Sequence, residues 1–224
     1  MRFAFIIAAG CVLAVAPAAA QRVETSASIG YSWSEGISGD DRLVNGQIYN
    51  EGGLDSGTSW NFTIGAFVTE RVQLEFLYGR QSSLFNVSGP NARRDIADLN
   101  IDHYMGNVVY NWGDTSARTR PFIFFGMGAT NYGFGDLIDA DPVVNPLAPT
   151  NIESKTKFST TWGGGAKFYF APNVGAKVGA RWTPTFINST DEGVWCDYWY
   201  GCWVIQDMQY SHQFETSVGI TVRF

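Results

Sequence analysis

Long hydrophobic runs are missing from most of this chain. After residue 20 no segment approaches 18 consecutive apolar residues, which excludes a membrane-crossing helix there. Histidine is nearly absent, with only His103 and His212. No zinc-ligand spacing, Walker loop, nucleophile elbow or dinucleotide fingerprint occurs, so no cofactor is expected. Cysteine is restricted to Cys11, Cys196 and Cys202. Basic charge is also short, with 15 Lys and Arg against 21 Asp and Glu. Nucleic-acid binding needs a basic footprint, so no nucleic-acid partner is expected.

What is present begins with an export leader over residues 1–20. Arg2 supplies the positive start, Phe3 to Val15 form a short apolar core, and Pro17 breaks it. Ala18-Ala19-Ala20 offers small residues for cleavage before Gln21. Cys11 leaves with this segment. The expected mature chain, residues 21–224, carries 14 basic and 21 acidic side chains, net −7. Its length suits one domain, and all-β barrels often reach this size undivided. Cys196 and Cys202 then reach an oxidising compartment, where a disulfide between them is plausible; two free thiols are the alternative.

Period-2 alternation dominates the mature chain and predicts strands. Val72, Leu74, Phe76 and Tyr78 share one face, with Gln73, Glu75 and Gly79 on the other. The same pattern predicts eight strands at about 23–33, 58–68, 72–81, 99–112, 120–132, 156–170, 174–186 and 210–224. In the fifth, Phe122-Ile-Phe-Phe125 is continuous, so its outward face stays open. The connections alternate: 69–71, 113–119 and 171–173 are short, whereas 34–57, 82–98, 133–155 and 187–209 are long. Sorted loops of this kind suit a transmembrane barrel better than a soluble sandwich.

Charged residues fall on the polar face of each strand: Glu24, Glu75, Lys167, Lys177, Arg181, Glu215 and Arg223. In a sandwich such residues face water; in a membrane barrel they line the interior. The aromatic residues Tyr31, Trp33, Trp60, Tyr78, Tyr104, Trp112, Phe170, Phe186 and Phe224 collect toward strand ends, as interfacial girdles do. The fold expected is therefore all-β: an eight-stranded antiparallel transmembrane up-and-down barrel with short turns at one end and long loops at the other. The seven charges read as an internal ion network that plugs the bore and fixes register, or alternatively as a gated, narrow solute path.

The closing stretch, Tyr210-Ser-His-Gln-Phe-Glu-Thr-Ser-Val-Gly-Ile-Thr-Val-Arg-Phe224, resembles the last strand of bacterial outer-membrane proteins. The mature chain is similar to the small eight-stranded barrels related to the OmpA membrane domain, OmpX and OmpW. That resemblance implies residence in the outer membrane of a Gram-negative bacterium. The turns would then be periplasmic and the loops extracellular, with outer-membrane lipid and lipopolysaccharide around the wall. It also implies that Phe224 is read by the barrel-assembly machinery. The loops are acidic, and a solvated rim is the expected reading, since no twelve-residue calcium loop is present; no metal site is expected.

Trp195-Cys196-Asp197-Tyr198-Trp199-Tyr200-Gly201-Cys202-Trp203 is the most unusual segment. If disulfide-closed it makes a rigid aromatic knob, suited to an extracellular ligand of unknown identity or to capping the barrel mouth. Ser211 beside His212 gives no dyad, because neighbours on a strand point to opposite faces. No catalytic residue is expected. The role read here is non-enzymatic, structural or through surface loops; the alternatives are a narrow porin for small or apolar solutes and a lipid-modifying enzyme.

Overall fold

The computed structural model describes residues 22–35, 37–44, 47–90, 93–114, 116–137, 154–187, 195–197, 201–203 and 209–224. Strand-forming alternation produces β1 (Val23–Ser34), β4 (Gly57–Phe67), β5 (Val72–Ser88), β6 (Arg93–Asn111), β7 (Thr119–Leu137), β8 (Lys155–Tyr169), β9 (Val174–Ile187) and β12 (Gln209–Arg223). These eight pair antiparallel in the order β1-β4-β5-β6-β7-β8-β9-β12, and β12 returns to β1. The ring is thus an eight-stranded closed barrel, and the backbone donors and acceptors of its wall are satisfied without water.

The register sets its shape. Partners run from Val23 through Ala66, Leu74, Val108, Phe125, Trp162, Trp182 and Phe214 back to Trp33, ten residues along the starting strand. For eight strands, that stagger tilts each strand by about 40° and leaves a bore filled by side chains.

Alternation then sorts the faces. Phe62, Ile64, Leu74, Phe76, Val108, Trp162, Val178, Val218 and Ile220 lie exposed on the outside, whereas Ser26, Asn61, Thr63, Gln73, Asn107, Thr161, Thr183 and Thr221 are buried inside. The open phase of the Phe122–Phe125 run resolves: Phe122 is buried in the bore while Ile123 and Phe125 face out. Gly163 makes room for this arrangement, since a Cβ there would meet the ring of Phe124.

All four expected long loops contain some strand. The segment expected as loop 82–98 is mostly the upper parts of β5 and β6, and β7 continues to Leu137. Register shifts at Phe85/Asn86 and at Ala97/Leu99 break the period there and hide the strands. The 34–57 segment carries β2 (Ile37–Val44) and β3 (Gln47–Leu54), which pair with each other, and β3 adds to the top of β5. One side of the barrel therefore rises well above the other. A separate ribbon joins β10 (Trp195–Asp197) to β11 (Gly201–Trp203), with Cys196 opposite Cys202. Tyr198, Trp199 and Tyr200 lie outside the described residues.

Candidate functional site in the barrel lumen

All seven charged residues singled out above project into the bore, and six of them form three ion pairs: two span it, and the third joins Arg181 to its register partner Glu215 on the neighbouring strand. Lys167 Nζ is bonded to Glu24, Lys177 Nζ lies 3.2 Å from Glu75 Oε2, and Arg181 Nη2 lies 2.8 Å from Glu215 Oε2. Glu24 serves further partners: the Tyr169 hydroxyl donates to it at 2.6 Å, and Arg223 Nη2 stands 3.8 Å away. Asn61 bridges the Arg181–Glu215 pair, donating to Glu215 at 2.7 Å and accepting from Arg181 at 3.2 Å.

The strands explain this geometry. Arg120, Lys167 and Lys177 are successive register partners on β7, β8 and β9, and Arg181 lies further along β9. The carboxylates come from β1, β5 and β12: Glu24 and Glu75 reach their lysines across the bore, whereas Glu215 on β12 adjoins β9 and meets its register partner Arg181. Arg120 was not among the expected lumen charges, because the continuous Phe122–Phe125 run concealed the phase of its strand. Gly126, Gly128 and Thr130 share its parity and were the available signal. Phe122 lies between two ammonium groups, with Lys167 and Lys177 each 5.3 Å from its ring centroid, an arrangement that stabilises desolvated cations.

Above the pairs the lumen changes character. A chain of hydroxyls runs along the wall over neighbouring β7, β8 and β9: Thr130 Oγ1 meets Ser159 Oγ at 2.7 Å, and Ser159 meets Thr185 Oγ1 at 2.8 Å. His103 Nδ1 joins at 2.9 Å from Thr130. Leu77, Leu99, Ile101 and Met105 are buried at β5 and β6. Between the Lys177–Glu75 and Arg181–Glu215 pairs lies a cavity of about 40 Å³, lined also by Ser28 and Phe124. That is room for a few water molecules at most.

The remaining sequence candidates are placed apart. Ser211 is buried inside, whereas His212 is outside beside Trp182, with ring centroids 5.6 Å apart. His103 points in, while its neighbour Asp102 accepts a hydrogen bond from outward-facing Tyr78 at 3.0 Å. Among the described residues no three His, Cys, Asp or Glu side chains converge as a metal site would require. Phe224 is exposed, and its backbone N–H donates to Val23 O at 2.8 Å, tying the last residue to the first strand.

Residues 4–221 match the family described as "Outer membrane protein beta-barrel domain". No curated protein matches the chain. Its fold is similar to that of the outer membrane protein OprG from Pseudomonas aeruginosa, at 13% identity and a TM-score of 0.62, covering 92% of this chain and 96% of that one. It is also similar to Neisserial surface protein A, at 15% identity and a TM-score of 0.53, covering 91% and 96%. The family is one of the Gram-negative outer membrane, where its barrels sit in lipid. With its closed ring, apolar exterior and family match, this chain belongs to the outer membrane protein β-barrel domain family.

Proposed function

We propose that this barrel is a non-enzymatic, non-conducting envelope protein that acts through its wall and its extracellular loops. One observation carries the reading: the Lys167–Glu24 and Lys177–Glu75 pairs span the bore, and the Arg181–Glu215 pair, bridged by Asn61, lines it beside them. Opening a path would separate buried charges, each desolvated at a cost of several kcal/mol. Lipopolysaccharide and phospholipid are the partners of the outer wall, and Phe224 is the assembly signal during biogenesis. The loop-borne aromatic segment around Trp195, Tyr198, Trp199, Tyr200 and Trp203 is the contact surface for an extracellular ligand.

The test is conductance of the purified protein in planar bilayers. A silent membrane is expected, and steady unitary currents would overturn the reading. A second reading, a narrow path for small apolar solutes, draws on the apolar lining at Leu77, Leu99, Ile101 and Met105. Uptake of an uncharged apolar dye into vesicles holding the barrel, above the rate of empty vesicles, would favour it.

A further inference from the structure

We propose that the turn end of the lumen is a binding site for one small inorganic anion, chloride in size, held by Arg120. Arg120, Lys167 and Arg223 meet around one ring, at 5.6, 5.8 and 6.0 Å from the centroid of Phe67. Arg120 and Lys167 are direct register partners on β7 and β8. Like charges placed directly opposite on neighbouring strands repel. Both side chains are fully buried, so water does not screen them.

The lumen carboxylate at this level, Glu24, is already in use. Its Oε1 takes Lys167, and its Oε2 takes the Tyr169 hydroxyl and faces Arg223. Arg120 has one hydrogen bond, from Nη2 to the carbonyl of Glu70 at 2.9 Å. Its Nε and Nη1 are buried and have no acceptor among the described residues. Gln73 adds another such donor: its Oε1 accepts from Lys167 at 3.2 Å, which leaves its buried Nε2 without an acceptor. A guanidinium presents its donors in a fixed fork, so an edge of Arg120 is aimed where nothing among the described residues accepts.

Water can satisfy a donor but cannot neutralise a charge. Among the described residues around Phe67, Arg120 and Lys167 share one carboxylate, Glu24, which is bonded to the lysine, in a cylinder surrounded by hydrocarbon. A bound anion answers both deficits, the missing acceptor and the missing charge. The bond from Arg120 to the Glu70 carbonyl places the site beside the turn at 68–71, and so at the periplasmic mouth. The inference does not rest on whether the pore conducts.

The experiment is chemical unfolding of the mature protein in vesicles, with chloride replaced stepwise by gluconate at constant ionic strength. An anion bound only to the folded state stabilises it by mass action. Well above half-saturation, each tenfold rise in chloride is expected to raise the folding equilibrium constant of the wild type about tenfold. Arg120→Gln is expected to lose that dependence, and Arg80→Gln, on the outer wall, to keep it. A wild type indifferent to chloride overturns the proposal, since bound water alone would then suffice. An equal slope in Arg120→Gln and wild type overturns it as well. If Arg120→Gln does not fold, Arg120→Lys serves instead: it keeps the charge, loses the fork, and is expected to show a reduced slope.

Discussion

At the scale of single residues, the barrel places charge where hydrocarbon forbids water, and each ion is tolerable only with its partner. Arg181 and Glu215 are nearly buried and 2.8 Å apart. Glu215→Gln keeps the shape but leaves Arg181 without a carboxylate, and such orphaned charges cost about 3–5 kcal/mol. Replacing both, as Arg181→Met with Glu215→Leu, is expected to cost less than the single change. Urea unfolding in lipid vesicles measures both; a double variant less stable than the single one would refute the pairing. Strand parity made the inward placement of seven charges legible in the sequence, because a charge on a lipid-facing position is prohibitive. It could not reveal which cation meets which carboxylate, since those partners lie as far apart as residues 24 and 167 and depend on the stagger of the whole ring. Arg120 escaped because bulky residues on both faces of its strand erased the alternation.

At the scale of elements, the legible strands are those that cross lipid. Their two faces meet opposite solvents, so the sequence must alternate. The upper parts of β5, β6 and β7 project beyond that constraint and carry register shifts, so their sequences lose the period and read as loops. Outward residues of β7 and of the turn after β8 give a depth test. Phe125→Lys near the middle of the wall is expected to cost about 2–4 kcal/mol, and Phe170→Lys at the turn end about 0–1 kcal/mol. The same unfolding assay checks this, and a near-neutral Phe125→Lys would mean that the face meets water. For the β10–β11 ribbon, the register sets Cys196 against Cys202, and opposed residues on paired strands have the Cα separation a disulfide needs. The expected outcome for mature protein, unfolded without reductant and treated with a thiol-alkylating reagent, is no mass increase. Addition of two labels would show free thiols.

At the scale of the whole molecule, the decisive property is an inverted distribution of polarity. Twenty-five large apolar side chains are exposed on the described surface, among them Trp60, Phe62, Phe76, Trp162, Trp182 and Phe214. Soluble monomers rarely expose more than a few hundred Å² of contiguous apolar surface; this exterior needs lipid. A barrel fixed in lipid also has two ends that no protease on one side can reach together. The turn end carries exposed Arg71 and Arg118, and the opposite end carries the segments 36–56, 89–92, 138–154 and 188–208. A broad-specificity protease added to intact cells is expected to cut only in those four segments, and trypsin only at that end, at Arg42 within them and at exposed Arg93 beside them. Peptides ending at Arg71 or Arg118 should appear only after the outer membrane is made permeable. Lys167, Lys177 and Arg181 should resist in both conditions, because the wall and their partners enclose them. Cleavage at Arg71 in intact cells would reverse the orientation. Cleavage at Lys167 without unfolding would open the cylinder, and the ion pairs could not then be what fills it.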